Sequence, residues 1–157
     1  MEKCIVLDLD GTLVFSSENK KGEATQIKFK DRHGDSAELY VHKRPGFDEF
    51  LLKCFSFGPV GVYSIGQEGY VEAILSLFPK RPCFVYSWWN CDRKNGKIIK
   101  NLNNIPYKGN IIMIDDKPES IEYSDKVELI VIDEWTPKKI GDIKLYQLTD
   151  QLFKNDF

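Results

Sequence analysis

Two aspartates one residue apart, in Asp8-Leu9-Asp10-Gly11-Thr12, are the first residues in the chain whose types and spacing suit group-transfer chemistry. Of two carboxylates placed this way at a turn, one can attack phosphorus and form an acyl phosphate. The other can protonate the leaving oxygen and then deprotonate water. Asp8 is the candidate nucleophile and Asp10 the candidate acid and base. A strand that merely ends in a polar turn would use the same residue types, since Asp and Gly are common in turns. A second acidic pair, Asp115-Asp116, closes the apolar run Ile111-Ile112-Met113-Ile114. Carboxylates gathered at two strand ends repel one another and are poorly solvated without protons or a cation, so the pairs together imply a hard, oxygen-ligated ion such as Mg²⁺. One of Asp115 and Asp116 also reads as the cap of a short helix beginning near Pro118. Between the pairs stand Ser64 and Lys100. A hydroxyl with backbone N–H groups at a helix start can hold phosphoryl oxygens, and an ammonium can balance the charge that spreads over them. Singly, Ser64 reads as a helix cap and Lys100 as a solvated lysine. Only the order of the four signals along the chain favours chemistry.

These side chains need a frame. Residues 3–9 form an apolar run broken by Asp10-Gly11, the pattern of a central parallel strand buried on both faces. In an open α/β sheet, ligands bind at the carboxyl ends of such strands. The composition turns polar over 14–25. Gln26–Lys30 and Ala37–His42 then alternate around Arg32-His33-Gly34-Asp35, which predicts a β-hairpin flap over 26–42. Arg44-Pro45-Gly46 opens an amphipathic helix over 46–56, with Phe47, Phe50, Leu51 and Cys54 on one stripe. Val60–Tyr63 reads as a strand ending at Ser64-Ile65-Gly66, before a helix that reaches Phe78 and stops at Pro79. Phe84–Trp88, Ile111–Ile114 and Val127–Ile132 read as further strands, and Leu145, Leu148, Leu152 and Phe153 predict a closing helix over 144–154. The expected fold is α/β: a Rossmann-like parallel sheet flanked by helices, with a small flap after strand one and no large cap domain. A single domain over 1–157 is expected.

Composition narrows the function classes. With 22 basic and 24 acidic residues the formal charge is −2, without the basic excess of a general nucleic-acid binder. Cys4, Cys54, Cys83 and Cys91 form no CxxC pair, so neither a zinc knuckle nor a dithiol site is indicated, and separated thiols fit a reducing compartment. No apolar run approaches the roughly 20 residues that span a bilayer, and Met1 is followed at once by a strand-like segment. The expectation is a soluble, intracellular protein that does not engage membranes.

The four signals resemble the motifs of the haloacid dehalogenase phosphatases: an Asp-x-Asp opening, a Ser or Thr, a Lys and a paired-acid motif. Asp8-Leu-Asp-Gly-Thr-Leu-Val-Phe-Ser-Ser17 is similar to the DLDETLVHS opening of the small carboxyl-terminal-domain, or NLI-interacting-factor-like, phosphatases. Leu39-Tyr-Val-His-Lys-Arg-Pro-Gly-Phe-Asp-Glu-Phe-Leu51 is similar to that family's stretch around RPG, and the likeness runs from about 3 to 136, with Trp135 near the last strand. The resemblance implies Asp8 as nucleophile and Asp10 as acid and base. It implies phosphate contacts from Thr12, Ser64, Ile65 and Lys100, and Mg²⁺ held by Asp8, the Asp10 carbonyl and Asp115-Asp116. It places Tyr70 where the family lines its peptide groove. Four positions depart: Gly11 stands for glutamate, Phe15 for histidine, Ser64 for threonine and Asp116 for asparagine.

The substrate expected on this basis is phosphoserine or phosphothreonine in a protein, as in the family members that act on RNA polymerase II tails. A phosphatase for nucleic-acid ends and a catalytically idle phospho-recognition module remain open alternatives. An open site favours a large substrate. Trp88-Trp89 precedes Arg93, Lys94, Lys97 and Lys100, so Phe15, Tyr70, Trp88 and Trp89 are candidates for a groove. Against this, alternation along a strand would send at least one tryptophan into the core. Neither His33 nor His42 receives a role.

Overall fold

A computed structural model of the chain describes residues 3–153. Met1 and position 154, the expected end of the closing helix, lie outside them. The elements in chain order are β1 (Lys3–Leu7), β2 (Val14–Ser17), β3 (Thr25–Lys30), β4 (Ser36–Lys43), α1 (Phe47–Phe57), β5 (Val60–Tyr63), α2 (Glu68–Leu75), β6 (Phe84–Tyr86), β7 (Asp92–Lys94), β8 (Lys97–Asn101), β9 (Asn110–Asp115), β10 (Ile121–Glu122), β11 (Val127–Val131) and α3 (Lys144–Phe153).

Five parallel strands form the central sheet in the order β11-β9-β1-β5-β6, with β1 in the middle. Alternation along β1 sends its residues to two separate cores. Ile5 and Leu7 join a cluster with Phe47, Phe50 and Leu51 of α1, Val71 and Ile74 of α2, and Leu145 and Leu148 of α3. Cys4 and Val6 join the other, with Tyr63, Cys91, Leu102, Ile111 and Met113. The expected α/β sheet is present, and its two faces are covered differently. The three α-helices bury their apolar stripes on one face. The other is covered by short 3₁₀ turns and a small sheet, β10-β8-β7, built on a hairpin across Asn95-Gly96.

The flap is three-stranded rather than a simple hairpin, because Val14–Ser17 adds to β4 on the side away from β3. It docks on α2 through a glycine. A Cβ on Gly69 would lie 2.2 Å from the Lys30 carbonyl oxygen, so a larger residue would push the flap away. His42 ties the loop between β2 and β3 to the flap: its Nε2 accepts from the Lys21 N–H at 3.0 Å, and its Nδ1 lies 3.1 Å from the Phe15 carbonyl.

Phe84–Trp88 ends as a strand at Tyr86. Ser87 caps a 3₁₀ turn over Trp88–Asn90, so strand alternation does not apply to the tryptophans. Neither enters the core: Trp88 is half-buried and Trp89 is 66% exposed.

Candidate active site

Asp8 and Asp10 follow β1, Ser64 follows β5, and Asp115-Asp116 end β9. Because β9 and β5 flank β1, the topology delivers these residues to adjacent carboxyl ends of the sheet. Lys100 arrives from β8, which crosses the far face.

Asp8 is 5% exposed and held at both oxygens. Thr12 Oγ1 donates to Oδ2 at 2.8 Å, and Lys100 Nζ donates to Oδ1 at 2.8 Å. Lys100 also donates to Asp115 Oδ2 at 2.6 Å. It is 3% exposed, so the solvated-lysine reading is ruled out by burial. Burial pulls its ammonium down, and the carboxylates of Asp8 and Asp115 outweigh that and hold its pKa above the lysine value. Asp115 Oδ1 accepts the Lys117 N–H at 2.9 Å. The turn over Pro118–Ser120 has Lys117 at its N-cap and no side-chain cap bond, so the capping role foreseen for one of the pair is filled by neither Asp116 nor Asp115. Desolvation, with the Asp8 charge, raises the Asp115 pKa.

Asp116 is different. Its side chain is 1% exposed, Oδ1 lies 3.3 Å from the Thr12 hydroxyl, and Oδ2 has no hydrogen bond, with Lys117 Nζ no nearer than 3.9 Å. Desolvation and the Asp8 carboxylate push it up to about 8. An orphaned, buried carboxylate oxygen is costly unless a proton or cation attends it. Ligand oxygens of Asp8, Asp115 and Asp116 lie within 4.8 Å of one another. Opposite corners of a Mg²⁺ shell are about 4 Å apart. The donor set fits such a cation.

Gly11 belongs to the same corner. Its φ is +82°, and a Cβ there would lie 2.3 Å from Asp116 Oδ2. Glycine relieves both the backbone and the contact. The departures at 11 and 116 are thus in contact with each other.

Asp10 faces the open side of the site. Its carboxyl reaches solvent yet is ringed by protein, and desolvation pushes it up to about 6 against the hydrogen bond it accepts from Tyr70. Tyr70 is buried, also bonds Ser16, and packs edge-on against Phe29 at 5.6 Å. The resemblance makes it a groove residue; the structure sets its hydroxyl on Asp10. Phe15 is half-buried, 6.0 Å from the His42 ring. Ser64 is 1% exposed, its Oγ accepting the Gly66 N–H at 2.9 Å, and Ile65 beside it is exposed. Thr12 is fully buried, and its hydroxyl addresses the two acids.

Sequence reasoning missed Arg44 and Asp142. Arg44 is 1% exposed and forms a two-pronged ion pair with Asp142, Nε to Oδ2 at 2.8 Å and Nη2 to Oδ1 at 3.0 Å. Its Nη1 donates to the Thr12 carbonyl at 3.0 Å and lies 3.4 Å from that of Gly11. The Trp135 backbone N–H donates to the Gly11 carbonyl at 2.8 Å. The loop behind the aspartates is therefore braced by residues from α1's entry and from the segment before α3. Arg44 reads as a helix opener beside Pro45-Gly46, and an isolated Asp142 carries no signal on its own.

Residues 3–155 match the family model described as NLI interacting factor-like phosphatase. The chain is 30% identical over 122 residues to "Phosphatase PSR1" of Saccharomyces cerevisiae, covering 76% of this chain and 29% of that protein. It is 28% identical over 122 residues to "CTD small phosphatase-like protein" of Homo sapiens, covering 76% and 44%. Among solved structures, fission yeast RNA polymerase II CTD phosphatase Fcp1 bound to beryllium fluoride superposes with a TM-score of 0.63 at 20% identity, over 92% of this chain and 45% of that one. The chain thus spans less than half the length of these proteins. Fold and family model agree, and the chain belongs to the NLI interacting factor-like phosphatase family.

Proposed function

We propose that the chain is a Mg²⁺-dependent phosphomonoester hydrolase that works through an aspartyl phosphate on Asp8 and acts on phosphoserine or phosphothreonine in a protein. The observation that carries this is the pairing of Asp8, fixed at both oxygens by Thr12 and Lys100, with Asp10, whose carboxyl is raised to about 6 at the open side. A fixed carboxylate beside a carboxylic acid is what attack and leaving-group protonation require. Asp8 attacks phosphorus while Asp10 gives its proton to the leaving serine or threonine oxygen. Asp10, now a carboxylate, takes a proton from water as that water attacks the phosphorus of the acyl phosphate and frees Asp8. Lys100 balances the charge on the transferring oxygens, and Ser64 with the backbone near Ile65 supports them. Asp8 and Asp116, with the Asp10 carbonyl and Asp115, would hold the ion, whose chemistry is to neutralise carboxylate and phosphoryl charge. Asp116 Oδ2 is the oxygen left free for it.

The protein substrate is supported by relatives that include a C-terminal domain phosphatase of RNA polymerase II from Encephalitozoon cuniculi, 27% identical over 133 residues. Between β1 and α1 the chain inserts the flap, which leaves Asp10 open to solvent. No helix among the described residues is long and apolar enough to cross a membrane.

The test is phosphate release from p-nitrophenyl phosphate and from phosphopeptides. Wild type should be active with Mg²⁺ and silent with EDTA. Asp8→Asn should lose all turnover with an unchanged circular dichroism spectrum. An active Asp8→Asn protein would sink the mechanism, and turnover of 3′-phosphorylated oligonucleotides in preference to phosphopeptides would replace the substrate.

A further inference from the structure

Beside the phosphate-binding loop lies a cluster that the hydrolytic reaction does not use. The Trp88 backbone N–H donates to the Gly66 carbonyl at 2.9 Å, which fixes the 3₁₀ turn against the loop carrying Ser64. Two guanidinium groups stand over the Trp88 ring, Arg32 from the flap tip at 5.0 Å and Arg93 from β7 at 4.6 Å. Trp89 leans against Trp88, with ring centroids 4.6 Å apart and the planes tilted by 47°. Two separate elements, the flap tip and β7, therefore converge on one indole of the turn. Arg93 pairs in register with Ile98, two residues before Lys100 on the same strand.

The cations are available. Arg32 and Arg93 are both exposed, and neither makes an ion pair among the described residues. Arg32 donates from Nε to His33 at 3.3 Å, which leaves its terminal nitrogens free. Of the acids nearby, Glu72 pairs with Arg81, Asp31 Oδ1 accepts the N–H groups of His33 and Asp35 and its charge is felt by Arg32, and Glu68 stands in the same cleft. On the Arg32 side of the ring, and without Arg93, a cleft of about 390 Å³ is lined by Lys30, Arg32, Trp88 and Trp89 and by the acids Asp31, Glu68 and Glu72. Guanidinium groups held by stacking on an aromatic ring keep their planar N–H fork directed outward, the arrangement suited to a phosphate. A long polyanion would face a chain of net charge −2, whereas one added phosphate needs only the local field.

We propose that Arg32 and Arg93, braced on Trp88, form a second phosphate subsite that selects protein substrates phosphorylated at two nearby positions. The inference rests on the phosphopeptide reading of the active site. It is tested with the Asp8→Asn protein in Mg²⁺, by calorimetry, using a singly phosphorylated peptide and a series carrying a second phosphoserine one to four residues to either side. At one spacing the second phosphate should tighten binding by about tenfold, and Arg32→Gln with Arg93→Gln should return that ratio to about one. No gain at any spacing, or a gain that survives the double variant, overturns the subsite. Tighter binding of a 3′-phosphorylated oligonucleotide than of any peptide overturns the peptide assignment. If wild type hydrolyses p-nitrophenyl phosphate but the second phosphate has no effect, the phosphatase reading stands without the subsite. If nothing is hydrolysed and the arginine-dependent gain is still seen, the subsite stands without the hydrolysis.

Discussion

Tyr70 shows how one hydroxyl can set the working range of a carboxyl group. Its hydrogen bond favours the ionised form of Asp10 and opposes the desolvation that raises it to about 6. Tyr70→Phe should therefore raise Asp10 further. As an acid it would stay protonated to higher pH, and the alkaline inflection of kcat/KM should move upward. Loss of the fixed orientation should lower kcat by about tenfold or more. A pH–rate profile of the variant checks this, and an unmoved inflection would remove Asp10 as the proton donor. Asp116 offers a second test. Its carboxyl ordinarily titrates near 3.8, so between there and about 8 the folded chain holds a proton that the unfolded chain has released. Metal-free protein should lose stability as pH rises across that window, because the native state then binds more protons than the unfolded one. A cation that takes the place of that proton should stabilise more as pH rises. Thermal melts across the range, with EDTA and with Mg²⁺, should diverge with increasing pH, and Asp116→Asn should flatten the EDTA curve. An EDTA curve that rises instead would count against a raised Asp116.

Elements decide where those side chains stand. The Arg44–Asp142 pair is buried on both sides, with side-chain exposures of 0% and 7%, and it joins the entry of α1 to the segment before α3. Removing one partner strands a charge, so Arg44→Leu or Asp142→Asn should each cost about 3–5 kcal/mol. Urea unfolding measures the loss, and a cost below about 1 kcal/mol would mean that the pair only decorates the loop. The parallel strands are legible because runs such as Cys4–Leu7 and Ile111–Ile114 are apolar without alternation, as strands buried on both faces must be. The site's acids are legible because they interrupt those runs. The cover of the second face is not. Asn95-Gly96 carries the signal of a two-residue hairpin turn, and both residues have positive φ, yet its flanks Asp92–Lys94 and Lys97 read as a solvated basic stretch. Lys100 reads as part of that stretch, although β8 turns it inward. Trp88 and Trp89 read as strand residues for a related reason: they continue the apolar run of Phe84–Tyr86, and a single Ser87, the cap of the turn, reads as one more residue of that run.

At the scale of the whole molecule, α1, α2 and α3 pack on one face of the sheet, and Asp8 and Asp10 stand at its carboxyl end, where Tyr70 of α2 and Lys100 of β8 reach them. The Gly69 contact with Lys30 bears on how the open side of the site works. Since α2 carries both Gly69 and Tyr70, the sheet that forms one wall and the hydroxyl that tunes Asp10 are seated on the same helix. They move, if at all, as one jaw. A larger residue at position 69 would then loosen the jaw's seat, widening the aperture and detuning Asp10 in the same stroke.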